Sequence, residues 1–277
     1  MKKCHWFFKV CFLTFVCLLG DGCSRIKWVY RFSDWIIQRR IEANFDLNAI
    51  QEKALEQSMR KYKIWHQKQM LPQYVLFLRR LKERVGERPL NSDQVRTKRK
   101  EMENLIRETV LPWAKHSLTL YLSLNEKQVA TYKEKTEKRW KKRLREIKES
   151  TPQKLSLERV EKIFDFMNMN LTSKQKFIVK NHVEKDPFRF RASVERRREW
   201  SQKVIDCLHL SEGKELCLRN HFMYWDKKRT LDSEVFRKKI DELISKIINS
   251  FDDKQVAELQ RRLEEWGSDF EDLSQLE

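Results

Sequence analysis

Six cysteines and six histidines are the side chains here best suited to covalent or acid–base chemistry, and their spacing narrows what they do. Cys23 follows Gly20-Asp21-Gly22 at the end of an apolar run. Cys207 and Cys217 flank Leu210-Ser211-Glu212-Gly213, which reads as the turn of a helical hairpin. In an oxidising compartment they are expected to pair across that turn, worth about 3 kcal/mol in the chain-entropy view; the alternative is two buried thiols. His66, His116, His182, His209 and His221 stand singly, with no His, Cys or carboxylate partner at zinc spacing and no His-Glu-x-x-His, so no metal site is expected. There is no phosphate loop, no Gly-x-Ser-x-Gly and no Gly-x-Gly-x-x-Gly. The expectation is a chain without catalytic residues or cofactor.

Two other sets of side chains are candidates for binding. Tyr74 lies eight residues after His66, about two helical turns along one face, with Pro72 between them to bend the helix. Together with Trp65, and with Asp34 from an earlier helix, they form a candidate polar pocket. The alternative is that Trp65 and Tyr74 pack in the core and His66 is a satisfied hydrogen-bonding residue. Trp35, Trp65 and Tyr74 are expected to hold the N-terminal helices together. Arg139, Lys141, Lys142 and Arg143 surround Trp140, and Arg196, Arg197 and Arg198 form a second run. Such clusters suit a polyanion, or else are solvated helix faces.

What positions these residues starts with the N-terminus. Lys2, Lys3 and Lys9 precede about eleven apolar residues and then small residues, the layout of an export signal over residues 1–22. The run is shorter than the roughly 20 residues a bilayer demands. Gly20-Asp21-Gly22-Cys23 resembles a bacterial lipobox, with Gly20 in place of the usual Leu and an unusual Asp21. Ordinary signal cleavage before an unlipidated Cys23, or an uncleaved anchor, are the other readings. Ser24 suits onward sorting to the outer membrane, facing the periplasm. The segment after Cys23 is basic and aromatic, with Trp28, Tyr30, Phe32 and Trp35 among Arg25, Lys27, Arg31, Arg39 and Arg40. It either touches headgroups or packs inward; the reading taken is that Trp28, Phe32, Trp35 and Ile36 enter the core while the arginines reach out.

The formal charge of the whole chain is +18; loss of residues 1–22, with three lysines and one aspartate, leaves +16. After the signal only Gly86, Gly213 and Gly267 remain as glycines, too few for the tight turns of a β-rich fold. With charged residues at 36%, the fold is expected to be all-α: an elongated bundle of about eight to ten amphipathic helices, two of them kinked at Pro72 and Pro112. The helices are placed near 25–43, 48–85, 92–123, 125–149, 155–169, 172–185, 188–209, 213–226, 233–249 and 252–266. The chain divides into a signal (1–22), an N-terminal helical region carrying the anchor (23–149), and a C-terminal helical region packed on it (150–277).

One pattern recurs four times: an apolar residue, a capping residue, two variable positions, then Gln. It appears as Leu47-Asn48-Ala49-Ile50-Gln51, Leu124-Asn125-Glu126-Lys127-Gln128, Leu171-Thr172-Ser173-Lys174-Gln175 and Phe251-Asp252-Asp253-Lys254-Gln255. Each is a capping box, in which the cap accepts from a first-turn N–H and Gln reaches back to the cap's own N–H. The spacings of 77, 47 and 80 residues are irregular and exclude a short-period solenoid.

Taken with Asp34-Trp35, Trp65-His66 and Leu71-Pro72-Gln73-Tyr74, these helix starts resemble a bacterial family of predicted lipoproteins of unknown function. The likeness is best over residues 23–81 and extends to Leu122-Ser123-Leu124 with Gln128 and to Leu171-Thr172 with Gln175. It implies a helical envelope lipoprotein and brings no activity or catalytic residues. The Leu-Thr-x-x-Gln start is also similar to those of small periplasmic helical chaperones and stress sensors.

The functional expectation is a non-catalytic envelope lipoprotein with a binding or scaffolding role. Its partners are membrane lipid through acylated Cys23, and anionic lipid or lipopolysaccharide phosphates through the basic faces. The alternatives are a periplasmic chaperone-like module for unfolded or acidic clients and, were the signal misread, a basic nucleic-acid binder.

Overall fold

The computed structural model describes residues 25–182, 188–224 and 231–276. Residues 1–22 and Cys23 lie outside that range. The described residues form helices only, twelve in number: α1 (Arg25–Arg31), α2 (Ser33–Phe45), α3 (Ala49–Gln69), α4 (Leu71–Gly86), α5 (Ser92–Leu122), α6 (Glu126–Lys148), α7 (Pro152–Phe166), α8 (Ser173–His182), α9 (Phe188–Leu208), α10 (Lys214–Met223), α11 (Leu231–Asn249) and α12 (Asp253–Gln275). The protein is all-α. Two helices expected to be continuous are each divided, the first at Phe32 and the second at Met70.

The second division corrects the role expected of Pro72. It stands in the first turn of α4, whose N–H groups have no helical acceptor in any case, so its missing donor costs nothing there and it begins a helix instead of bending one. Pro112 does lie inside a helix, and α5 runs through it from Ser92 to Leu122.

The four capping motifs resolve into two pairs. Asn48–Gln51, Asn125–Gln128 and Thr172–Gln175 close complete boxes at the starts of α3, α6 and α8. Asn91–Gln94 closes another at the start of α5. The amides of Gln51 and Gln128 then bond to each other in both directions, at 3.1 and 2.7 Å. Each also donates to a carbonyl two residues before the other's cap: Gln51 to Ser123 O at 2.8 Å, Gln128 to Asp46 O at 3.0 Å. Gln175 and Gln255 repeat the reciprocal pair at 2.7 and 3.2 Å, and Gln255 donates to Asn170 O at 3.0 Å. The fourth box is only half made: Asp252 caps the Gln255 N–H, with no return bond to the Asp252 N–H.

Each knot ties together two helix starts that belong to one core. Leu47 and Leu124, the apolar residues preceding the first two caps, pack with Phe45, Val129, Tyr132, Val204, Leu208, Leu218 and Phe222. Leu171 and Phe251 pack with Phe77, Val85, Phe164, Val179, Leu243, Val256 and Leu263 in the second core. The first core draws on α2, α5, α6, α9 and α10, the second on α4, α7, α8, α11 and α12, so each takes helices from both sides of residue 150. The cores are joined twice. On one side α5 packs on α3 and α10 and also on α11; on the other, α6 and α9 run together and meet α7 through Ile147, Leu155 and Val194. Two cores with two separated bridges leave a space between them.

Candidate functional site

Tyr30 on α1, Tyr62 and His66 on α3, Tyr74 on α4 and Thr109 on α5 converge where four helices meet. The Thr109 hydroxyl donates to Leu105 O at 2.8 Å, a bond that sets the direction of everything behind it. Tyr74 then donates to Thr109 Oγ1, and accepts from His66 Nε2 at 3.3 Å. His66 Nδ1 is thereby left as the acceptor for the Tyr30 hydroxyl at 2.9 Å. The chain runs one way, and assigns the neutral Nε2–H tautomer to His66. Burial pushes the imidazole down to about 4, and burial first, then neighbouring hydroxyls, pushes Tyr30 and Tyr62 up. Tyr62 donates to Thr109 O at 2.9 Å and stacks near Trp65, with ring centroids 5.5 Å apart.

Of the side chains expected in this pocket, His66 and Tyr74 meet and Trp65 lies beside them. Asp34 does not join: its carboxylate accepts from Lys63 at 3.0 Å. Both ring nitrogens of His66 are consumed by tyrosines, so the group braces four helices and offers no free base. Tyr30, Tyr62 and Thr109 carry no sequence signal, because only the crossing of α1, α3 and α5 brings them together.

The first two helices correct a second expectation. Trp28 and Trp35 are 59% and 58% exposed, and Phe32 is exposed with them. Trp35 therefore does not hold the N-terminal helices together. The reason is that polar groups dock α1: Lys27 pairs with Asp272 at 2.5 Å and Asp269 at 3.6 Å on α12, and Tyr30 bonds His66. With its polar side inward, the stripe of Trp28, Phe32 and Trp35 at positions i, i+4 and i+7 points outward. Arg25, Arg31, Arg39 and Arg40 are exposed alongside, and Arg39 lies over the Trp35 ring.

Cys207 and Cys217 are joined by a disulfide, their Cα atoms 5.5 Å apart across the turn into α10, where Gly213 takes the left-handed conformation (φ +70°) as the helix cap. Among the described residues no group of three or more His, Cys, Asp and Glu side chains is placed to hold a metal ion, and no helix is long and apolar enough to cross a membrane.

The basic runs divide by direction. Arg139 bonds Thr136 at 3.1 Å, and Lys141 and Lys142 are exposed on α6. Arg198 pairs with Glu137 at 3.0 Å, tying α9 to α6, and Arg143 pairs with Glu146 at 2.6 Å within α6. Arg196 and Arg197 line the space between the two cores, a cleft of about 2930 Å³ open to solvent. Arg159 of α7 joins them there, its guanidinium 4.6 Å from the Phe190 ring centroid. Arg159 sits outside any basic run, so charge clustering along the sequence did not point to it. Across the cleft Arg99 makes a bidentate pair with Asp241 at 2.6 and 2.9 Å and bonds Glu103, which also receives Arg237. Asp241 is 0% exposed.

A helical protein with two knotted cores, a shared cleft and an outward aromatic–basic helix is what the fold and these sites define. The chain belongs to a family of unknown function (DUF6279), whose model matches residues 43–225, from the end of α2 to just past α10. No curated protein and no solved structure matches it.

Proposed function

We propose that this chain is an envelope lipoprotein, anchored through acylated Cys23 and facing the periplasm from the outer membrane, with a non-catalytic binding or scaffolding role. The observation that carries the reading is the outward stripe of Trp28, Phe32 and Trp35 flanked by exposed arginines, beginning five residues after Cys23. Indole rings suit the headgroup region, and each nearby Arg gains about 1 kcal/mol at an anionic surface. A stripe of this kind turned to water has no folding benefit; against a bilayer held close by an acylated residue it has one. The n-region, short apolar run and Gly20-Asp21-Gly22-Cys23 sequence support the same attachment.

Palmitate labelling of wild type and Cys23→Ala in a Gram-negative host, followed by membrane fractionation, tests this. Label in the wild type that disappears in the variant is the expected result. An unlabelled wild-type chain recovered as a soluble periplasmic or cytoplasmic product would refute the anchor.

A further inference from the structure

The cleft between the cores has two properties that a gap in packing lacks. Its apolar lining is open: Met102 and Ile106 of α5, Ile163 of α7 and Val235 of α11 all line it, and each is 43% to 56% exposed. Its charge is unbalanced at one place. Among the described residues, Arg159, Arg196, Arg197 and Lys203 line the cleft in no ion pair and outnumber Glu199 and Asp206 of the same wall, while Arg99 and Arg237 on the opposite wall are engaged by Asp241 and Glu103. Partial desolvation, and then the positive charges of Arg143 and Arg197, disfavour the Arg159 cation where it stands. A cluster of cations with that character is relieved by an anion, and guanidinium forks match phosphate oxygens.

We propose that this cleft binds an anionic phospholipid, its phosphate received by Arg159 and Arg197 and its acyl chains lying along Met102, Ile106, Ile163 and Val235. At about 2930 Å³ the cleft exceeds the usual range of small-molecule sites and has room for a phospholipid's acyl chains. The distribution of charge selects a lipid over an acidic helical peptide. A phospholipid has one anionic end and a long apolar remainder, which is the arrangement of the lining. An acidic helix spreads its carboxylates along its length and would meet arginines already neutralised on the α5 and α11 wall. The site is separate from the aromatic stripe of α1 and α2, and stands whether or not Cys23 is acylated.

The test is native mass spectrometry of the full chain in a non-ionic detergent, titrated with dioleoyl phosphatidate or dioleoyl phosphatidylcholine. The phosphatidate adduct is expected to half-saturate at a concentration about tenfold lower, the discrimination that one or two charge-assisted contacts supply. Arg159→Gln with Arg197→Gln, both exposed and therefore tolerated by the fold, is expected to abolish that preference. Ile163→Asn is expected to weaken both lipids, and Trp28→Ala with Trp35→Ala to leave the preference intact. Equal half-saturation by the two lipids would overturn the proposal, as would a preference that survives in the arginine variant or vanishes only in the tryptophan one. Displacement of phosphatidate by excess inorganic phosphate would reduce the site to a free-anion site. A stoichiometric acidic polypeptide held in place of lipid, and lost in the arginine variant, would replace the lipid by a protein client.

Discussion

The two walls of the cleft carry the same residue type to opposite ends. On the α5 and α11 wall, Arg99 is held by a fully buried Asp241, with Glu103 and Arg237 closing the network. On the α7 and α9 wall, Arg159, Arg196 and Arg197 face the same space in no ion pair, although Glu199 and Asp206 of α9 also line it. Desolvation and bidentate hydrogen bonding turn the first arginine into a clamp between helices, and make its removal expensive. Mutual repulsion and the lack of an ion pair leave the second group little to lose on mutation beyond the contact of Arg159 with Phe190, and something to gain from an anion. Counting basic residues does not separate the two; only their partners do.

That contrast breaks most sharply at Asp241. Asp241→Ala leaves the mostly buried Arg99 with Glu103 alone and is expected to cost about 3 kcal/mol or more, read as a lower urea midpoint. A loss below about 1 kcal/mol would show that the α5–α11 clamp does not hold that wall.

The next largest effect comes from the hydrogen-bonded chain of Tyr30, His66, Tyr74 and Thr109. His66 titrates near 4 in the folded protein and at 6.5 when unfolded. The unfolded chain binds the proton first, so this contribution is complete above about 6.5 and declines as pH falls towards 4, by roughly 3 kcal/mol in all. Unfolding free energy followed across that window should lose most of this slope in His66→Gln; an unchanged slope would place the acid sensitivity elsewhere.

Smaller still is a comparison of two capping glutamines with the same local chemistry. Gln128→Ala removes the reciprocal bonds to Gln51, the donor to Asp46 O and half of the Asn125 box, and should cost about 1–3 kcal/mol. Gln94→Ala removes only an exposed box at the start of α5 and should cost about 1 kcal/mol or less. Equal shifts in thermal midpoint would mean that the reciprocal pair adds nothing beyond capping.

The smallest expected change is on the open wall. Arg159→Gln with Arg197→Gln should leave stability within about 0.5 kcal/mol or raise it slightly, because repulsion is removed and no ion pair is lost. A loss as large as that of Asp241→Ala would make both walls structural and end the contrast.

The helical fold and most helix boundaries were legible in the residues themselves. Asn48, Asn125, Thr172 and Asp252 each begin a helix because capping needs only a side chain and the next three backbone donors, all local in sequence. Pro72 was misread because a proline inside an apolar periodic stretch looks alike whether it kinks one helix or opens the next; the break at Met70 decides. Trp35 was misread because periodicity identifies a stripe without saying which side of the helix meets the body, and Lys27 and Tyr30 turned the polar side inward. Cys207 and Cys217 stand ten residues apart around a turn, close enough for local sequence to suggest their pairing.

By itself, then, the sequence determined an all-α chain and the points at which its helices start, because each rests on interactions within a few residues. Only the tertiary structure decided that the four motifs join as two reciprocal glutamine knots 77 and 80 residues apart, each seeding one core. It alone decided that Arg99 finds Asp241 across 142 residues while Arg159 and Arg197 enter no ion pair. The physical reason is common to both: a buried polar group must be satisfied, and its partner is chosen by which helices cross, a choice that spacing along the chain does not record.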